Sequence, residues 1–244
     1  MLDSRYRAKL PVRARGHEDL LKHVGGVFAE VDERLRHQEV VRVLELGCGF
    51  GTALLELRKR YGPRVSLHGV NRRQRDGDAE AFLRNGIERG LIAADASLSE
   101  PLPAIAYLDI ADGLPFEDGS FDLVYSQVAW FYFANKIAVI REVSRVLRDD
   151  GLAKIDADEL RPDLPPEYRR LVEIWQDGRL VPFGDYLRRF GMALEPAPEG
   201  EYLRFGKSPR FGEDLRLVFQ IDLSEVNDRW NGIKCVYRVV DQKR

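Results

Sequence analysis

Residues 40–51, with the sequence VVRVLELGCGFG, decide the fold of this chain. The apolar and β-branched run at 40–46 predicts a buried strand. Gly47, Gly49 and Gly51 follow at alternate positions and predict a tight turn whose backbone can approach a ligand without interference from side chains. Residues 52–61 carry apolar side chains at helical spacing, so the turn leads into a helix whose first N–H groups can bind a ligand.

Strand and helix patterns alternate from this point to residue 156. Further strands are predicted at 64–70, 104–110, 121–127 and 151–156, with helices near 78–84 and at 135–148. This alternation predicts an α/β fold, in which a parallel sheet has helices on both faces. The carboxyl ends of its strands then form one edge, where ligands bind at the point of strand-order reversal.

The segments on either side of this region have other patterns. An amphipathic helix is predicted at 17–37, with Gly25 and Gly26 bending it. We expect residues 1–38 to form a helical cap on a domain of residues 39–244, and the cap to act as a movable lid. Later helices are predicted at 167–176 and 183–190, and two strands at 215–223 and 232–240 are expected to pair antiparallel and close the edge of the sheet.

Composition narrows the class of protein. The 244 residues are 44% hydrophobic and 32% charged with a net charge of −2, which favours a folded globular protein without a field that attracts nucleic acid or anionic membranes. The sequence has no apolar run of the roughly 18 residues that span a bilayer. Cys48 and Cys235 are too few for a zinc site or a disulfide framework and suit a reducing compartment. Together with its arginine-rich composition, these features predict a cytoplasmic, bacterial protein without a metal.

The spacing of the glycines separates two kinds of nucleotide site. The dinucleotide fingerprint is Gly-x-Gly-x-x-Gly, whereas here the third glycine comes one position earlier and Glu45 precedes the first by two. The pattern Glu45-x-Gly-x-Gly-x-Gly resembles the first motif of class I S-adenosylmethionine-dependent methyltransferases. Residues 114–124 (LPFEDGSFDLV) and 142–147 (EVSRVL), followed by Gly151, are similar to this family's fourth strand and to its helix into the fifth strand.

The resemblance covers roughly residues 40–155 and has implications for fold and cofactor. It implies a Rossmann-like, seven-stranded and mostly parallel sheet with an antiparallel closing strand at 232–240, and S-adenosyl-L-methionine as the cofactor. Glu45 and Gly47 would lie near the amino-acid end of the cofactor, and Asp109 with Ile110 near the adenine. The cofactor-binding residues that it implies are Glu45, Gly47, Cys48, Gly49, Asn71, Asp109, Ile110 and Ser126.

Asn71 is a departure from the family pattern, which usually has Asp or Glu at the end of the second strand to bind the ribose hydroxyls. An amide can still accept through its oxygen and donate through its nitrogen, without the strength of a charged acceptor. We therefore expect Asn71→Asp to bind the cofactor equally well or better.

The acceptor side of the site is less specific in sequence. Gln127 follows the fourth strand, and the aromatic run Trp130, Phe131, Tyr132 would border the acceptor pocket, with ordinary helix packing as the alternative. The general base is unknown, and Tyr132, His17 and His23 are the catalytic candidates. The fourth strand lacks the motifs of amino-methylating and cytosine-methylating DNA enzymes. A small-molecule or peptide acceptor remains, and we expect a small molecule.

The sequence leaves two other functions open. One is a protein that binds S-adenosylmethionine without transferring its methyl group, which the change to Asn71 and the lack of an obvious base favour. The other is a nicotinamide-dependent dehydrogenase, which the glycine spacing disfavours. Binding of S-adenosylmethionine would distinguish a methyltransferase from the dehydrogenase. Transfer of its methyl group would distinguish a methyltransferase from the binding protein.

Overall fold

A computed structural model describes residues 14–72, 78–96, 102–159, 163–226 and 232–240. Its helices are α1 (His17–Val24), α2 (Val27–Arg34), α3 (Thr52–Tyr61), α4 (Ala79–Glu88), α5 (Lys136–Val146) and α6 (Phe183–Arg188). Its strands are β1 (Val41–Leu46), β2 (Val65–Asn71), β3 (Ala104–Tyr107), β4 (Phe121–Ser126), β5 (Leu147–Asp156), β6 (Val172–Gln176), β7 (Arg179–Val181), β8 (Ala193–Ala197), β9 (Gly200–Phe205), β10 (Leu215–Asp222) and β11 (Ile233–Val239). No helix within these ranges has the length and apolar character that a membrane crossing requires.

The main sheet has seven strands in the order β3-β2-β1-β4-β5-β9-β8. The pairs β1–β2, β2–β3, β1–β4 and β4–β5 are parallel, whereas β5–β9 and β8–β9 are antiparallel. The predicted α/β class, with a mostly parallel seven-stranded sheet, is confirmed. Strand order reverses between β1 and β4, so the crevice for a ligand lies at their carboxyl ends.

Strand β1 is at the centre of this sheet and is apolar on both faces. Val41 and Val43 belong to the core that α1, α2 and α3 cover, while Leu44 and Leu46 belong to the core that α5 covers. All four side chains are 0% exposed. A strand between two layers of helices needs apolar side chains on both of its faces. This explains why apolar residues occur at both odd and even positions of β1.

The N-terminal helices are two and not one. The predicted helix at 17–37 is interrupted where Gly25 and Gly26 adopt positive φ of 66° and 88°. Lys154 on β5 stabilises this break, because its Nζ donates to the carbonyl of Gly25 at 3.3 Å and pairs with Glu30 at 2.8 Å. The apolar stripe packs against the sheet beside α3, so these helices cover one sheet face, and their role as a movable lid stays a prediction.

The prediction of a helix at 167–176 was wrong. Only a short 3₁₀ turn, Pro166–Tyr168, forms there, and β6 follows with buried and more exposed residues alternating from Val172. Asp177 and Gly178 join β6 to β7 with φ of 49° and 74°. Positive φ at both central residues is typical of the Asp-Gly hairpin turn, so this dipeptide is the sequence signal that could have identified the hairpin.

The assignment of the closing strand also needs correction. Residues 215–223 and 232–240 do form antiparallel strands, but β10 and β11 belong to a second sheet with the order β10-β11-β6-β7. The main sheet is closed instead by the hairpin of β8 and β9. Both sheets contribute residues to one core with α5, including Ile174 and Tyr237 of the second sheet, because the apolar face of a four-stranded sheet must pack on another layer.

Candidate functional site: the carboxyl edge of the main sheet

The glycine-rich turn lies between β1 and α3 at the reversal point. Gly47, Gly49 and Gly51 have φ of 69°, 50° and 64°, a region that residues with a Cβ rarely adopt. The amides of Gly47 and Cys48 both donate to the carbonyl of Val70, at 2.8 and 3.1 Å, and this attaches the turn to the end of β2. These two hydrogen bonds hold the turn against β2, and its three glycines contribute backbone without side chains.

Two of these glycines are also required by packing inside the protein. A Cβ on Gly51 would lie 1.4 Å from the ring of Phe82 on α4, and a Cβ on Gly47 would lie 2.5 Å from the Cβ of Ala129. The sequence predicted these glycines from the tight turn and from the approach of a ligand, and not from packing against Phe82 or Ala129. The contact with Ala129 brings the loop after β4 against the glycine turn, so the two sides of the crevice touch.

Glu45, near the end of β1, is buried with 2% exposure. Its carboxyl group accepts hydrogen bonds from the Tyr125 hydroxyl at 3.1 Å and from Nε2 of Gln127 at 3.2 Å. Burial, opposed by these two hydrogen bonds, raises the pKa of Glu45 to about 8. The group is therefore mostly neutral at pH 7, beneath the glycine turn.

Cys48 and Ser126 have side chains directed into the protein. The Ser126 hydroxyl donates to the carbonyl of Leu46 at 3.0 Å and ties the ends of β4 and β1 together. The Cys48 thiol packs beside Gly69 of β2, and burial raises its pKa. Both residues border the crevice, and their contribution to cofactor binding stays a prediction.

The ends of β2 and β3 bring the residues predicted for the adenosine together. Nδ2 of Asn71 donates to the carbonyl of Gly49 at 3.3 Å, so this amide also holds the glycine turn. Arg72 pairs with Asp109 at 2.5 Å, and the other oxygen of Asp109 accepts from the amide of Ala111 at 3.1 Å. Sequence reasoning missed Arg72, although its place directly after Asn71 at a strand end was a usable signal.

Ile110 follows in a 3₁₀ turn that Asp109 caps, and its side chain is buried with 6% exposure. This places an apolar side chain at the same strand end as the polar groups of Asn71 and Asp109. This edge of the sheet combines a glycine loop before a helix with an amide, a carboxylate and an apolar side chain. Such a combination suits a nucleoside with an amino-acid tail. The residues present therefore fit S-adenosylmethionine.

The aromatic run after β4 is mainly packed into the core. Trp130 is fully buried, and its ring stacks on Phe183 at a centroid distance of 6.3 Å. Phe131 is 8% exposed and Tyr132 is half-buried. Trp130 therefore packs in the core, which is the alternative to a place in the acceptor pocket, whereas Tyr132 retains accessible surface. The assignment of all three to the acceptor pocket stays a prediction.

The two candidate histidines of α1 lie at opposite ends of that helix. His17 packs on Phe28 with ring centroids 3.9 Å apart, and its amide donates to Glu56 at 2.5 Å. It lines a cavity of about 400 Å³ together with Phe28, Glu56 and Arg89. His23 lies instead at the carboxyl end of β5, with Nδ1 3.6 Å from an oxygen of Asp156. The catalytic roles of His17, His23 and Tyr132 stay predictions.

Asp156 was not among the predicted site residues. It ends β5, is 2% exposed, and accepts from the amide of Val128 at 2.9 Å and from that of Asp158 at 3.4 Å. Burial raises the pKa of Asp156, and His23 opposes that shift. The only sequence signal was its place at the end of a predicted strand.

The fold and this site are those of a Rossmann-like nucleotide-binding domain, with its crevice between β1 and β4. Residues 44–155 match the family model of a methyltransferase domain. The chain is 30% identical over 125 residues to a sarcosine/dimethylglycine N-methyltransferase of Halorhodospira halochloris, a match that covers 51% of this chain and 40% of that protein. It is 26% identical over 129 residues to the chloroplastic tocopherol O-methyltransferase of Arabidopsis thaliana, covering 51% and 32% respectively.

Among solved structures, the S-adenosylmethionine-dependent methyltransferase of Aquifex aeolicus is 16% identical with a TM-score of 0.44, covering 76% of this chain and 92% of that one. The chain spans less than half the length of the two relatives above. The match to the methyltransferase family model spans less than half of the chain, and it includes the glycine turn and the ends of β1 to β4 described above.

Proposed function

We propose that this chain is an S-adenosylmethionine-dependent methyltransferase that acts on a small-molecule acceptor. The observation that carries the proposal is the glycine turn at the strand reversal, with positive φ at Gly47, Gly49 and Gly51 and the mostly neutral carboxyl group of Glu45 beneath it. The family match at residues 44–155 covers this turn and supports the same activity.

The proposed cofactor site divides into two ends. The amino-acid end would be held by Glu45, Gly47, Cys48 and Gly49. The adenosine would be held by Asn71, Asp109 and Ile110. Ser126 would lie between the two ends. When bound, the cofactor supplies a methyl group activated on a sulfonium. The chain then has to orient an acceptor and exclude water, and orientation alone contributes on the order of 7–11 kcal/mol to such reactions.

The acceptor site would lie on the far side of the reversal, over the ends of β4 and β5. Gln127, Phe131 and Tyr132 would border that side, and Trp130, which shares the core with Phe131, would support them. The two relatives described above are named for amino-acid and tocopherol substrates, which are small molecules. Because one is an N- and the other an O-methyltransferase, their names leave the methylated atom open for this chain.

Calorimetric titration tests the cofactor assignment. We expect saturable binding of S-adenosylmethionine and of its demethylated product, and no response to NAD. Tight binding of NAD without a response to either sulfur compound would overturn the proposal in favour of a dehydrogenase. Binding of the cofactor without methyl transfer to any acceptor, including metabolite extracts, would favour the binding protein instead.

We further propose that the protein works in bacterial cytoplasm on a free metabolite, without nucleic acid or membrane as a partner. Cys48 and Cys235 are both buried and unpaired, which suits a reducing compartment. The net charge of −2 supplies no general attraction for a polyanion. Fractionation of the source cells and the salt dependence of binding to DNA and vesicles test these points.

A further inference from the structure

The loop that follows β4 is strained at one position. Val128 has a φ of 56°, which is an outlier for a β-branched residue. Its amide donates to Asp156 at 2.9 Å, and the next residue, Ala129, touches Gly47 of the glycine turn. Strain of this kind persists only where the surroundings impose it, and it clusters at functional sites. Asp156 therefore positions the loop between the cofactor turn and the acceptor side of the crevice.

Asp156 also faces an imidazole on another element. His23 of α1 has Nδ1 3.6 Å from Oδ2 of Asp156, and its side chain is only 17% exposed. A carboxylate beside one ring nitrogen favours the tautomer with the proton on that nitrogen, which leaves a lone pair on the other. The Nε2 atom lies 3.8 Å from the exposed carboxylate of Glu199. Both separations are ion-pair distances and longer than a hydrogen bond, and of the two carboxylates only that of Asp156 is buried.

The charges around this pair are predominantly negative. Asp156 and Asp158 lie at the end of β5, and Glu199 lies on the turn between β8 and β9. Lys22 is the cation on α1 nearest to them, and it pairs with Glu199 at 3.8 Å. Lys154, on the same strand as Asp156, is paired with Glu30. Such a site favours a cationic or hydrogen-donating group over an anion.

A neighbouring amide oxygen has the same preference. Gln127 is 6% exposed, and its Nε2 donates to Glu45. Its Oε1 is buried and has no hydrogen-bond partner among the residues that the structure describes. A buried oxygen of this kind destabilises the folded chain unless it accepts a hydrogen bond. An N–H group of a bound molecule would provide that hydrogen bond.

We propose that His23, Asp156 and Gln127 form an amine-binding site, in which His23 removes the proton from the acceptor nitrogen. The inference rests on the proposed methyltransferase function and names its substrate class, an amine with at least one N–H. The nitrogen lone pair forms the bond to the methyl carbon, the carbon–sulfur electron pair returns to sulfur, and the proton on nitrogen passes to Nε2 of His23. Asp156 is a positioning residue that stabilises the resulting imidazolium.

Matched acceptors test the substrate class. Benzylamine and dimethylamine would be assayed beside benzyl alcohol, phenol and acetylacetone, with labelled S-adenosylmethionine and the full chain. We expect methyl transfer only to the amines. Transfer to an alcohol, phenol or carbon acid without transfer to an amine overturns the amine site and leaves the methyltransferase standing. If no compound is methylated, the amine site is overturned. If the chain also fails to bind the cofactor, the proposed function is overturned as well.

Variants test the roles within the site. His23→Gln should lower kcat for the amine by roughly 10²–10⁴-fold, and Asp156→Asn on the order of tenfold. The affinity for the demethylated cofactor should stay within twofold in both. His37→Gln is the control, because His37 is 78% exposed beyond α2. Unchanged kcat in His23→Gln contradicts the proposal.

A measurement without turnover completes the test. The chain has four histidines, so their ring nitrogens can be assigned in ¹⁵N spectra by single substitutions. With the demethylated cofactor bound, addition of benzylamine should shift the His23 signals and leave those of His37 unchanged. In Asp156→Asn, the His23 signals should show a changed tautomer before any amine is added. Shifts confined to other histidines would place the amine elsewhere and overturn the site.

Discussion

The two sheets of this molecule are joined to their surroundings in different ways. The five parallel strands of the main sheet, β1 to β5, and the glycine turn lie within residues 41–156, and their core contacts are mainly apolar. The second sheet is attached by polar groups far apart in sequence. The hydroxyl of Tyr237 on β11 accepts from the amide of Ile137 at 3.1 Å and donates to Asn135 at 2.9 Å, at the first turn of α5.

Lys136 makes the same connection with a buried charge. Its side chain is fully buried, and Nζ donates to the carbonyls of Ile233 at 2.5 Å and Phe133 at 3.2 Å. Burial lowers the pKa of Lys136, whereas Cys235 and Glu159 oppose that shift. The cofactor half therefore depends on shape and backbone conformation, whereas the second sheet adds long-range polar contacts to the apolar core that both sheets share.

The largest expected effect tests the shape requirement in the cofactor half. Gly51→Ala should lower the free energy of unfolding by roughly 3–5 kcal/mol, since it combines left-handed strain with a clash against Phe82. Gly90→Ala is the control, because Gly90 follows α4 with a similar φ of 63° but has no atom within 4 Å of a Cβ. It should lose only roughly 1–2 kcal/mol. Equal losses in urea unfolding would mean that the Phe82 ring moves aside freely.

The next prediction concerns the polar attachment of the second sheet. Lys136→Met should cost roughly 2–4 kcal/mol, because two buried carbonyls lose their donor. Hydrogen exchange in β10 and β11 should rise while cofactor affinity stays within threefold. Lys59→Met is the control, since the exposed Lys59 also donates to a carbonyl, that of Gly90 at 2.9 Å. A large fall in cofactor affinity would show that the two halves do not behave independently.

Glu45 provides a pH-dependent test of the cofactor half. Its pKa of about 8 in the folded chain exceeds the ordinary value of 4.5, so the folded state favours the proton. This contribution to stability is complete below pH 4.5 and is lost as the pH rises to about 8. Glu45→Gln has no such titration.

Relative to the parent, Glu45→Gln should therefore gain stability between pH 5 and 8, by roughly 2–3 kcal/mol in urea unfolding. Glu88→Gln is the control, because Glu88 is exposed at the end of α4. A constant difference between parent and Glu45→Gln across this range would contradict a buried neutral carboxyl group.

The smallest expected effect lies at Asn71. The sequence predicted that Asn71→Asp would bind the cofactor equally well or better. Because Nδ2 of Asn71 donates to the carbonyl of Gly49, a carboxylate there would repel that oxygen. We now expect affinity to fall about tenfold, or roughly 1.4 kcal/mol, by calorimetry. Equal or tighter binding would restore the original expectation and show that the ribose contact outweighs the contact with the turn.

The sequence by itself determined the half of the fold whose signals are local. Periodicity placed α3 at its observed bounds and β1 within one residue, and Gly47, Gly49 and Gly51 predicted the tight turn that joins them. These features follow from apolar period and backbone conformation, which act over a few residues. Asn71 and Asp109 were brought to one edge as expected, because parallel strands end on the same side of a sheet.

Only the tertiary structure decided what lies between distant segments. The pattern at 215–240 showed two strands but not their sheet, because pairing depends on partners such as β6, whose short alternating run was mistaken for a helix. The meeting of His23 with Asp156 joins residues 133 positions apart, and the meeting of Gly51 with Phe82 joins different helices. Such contacts arise from how layers pack, and neither residue's local sequence encodes its partner.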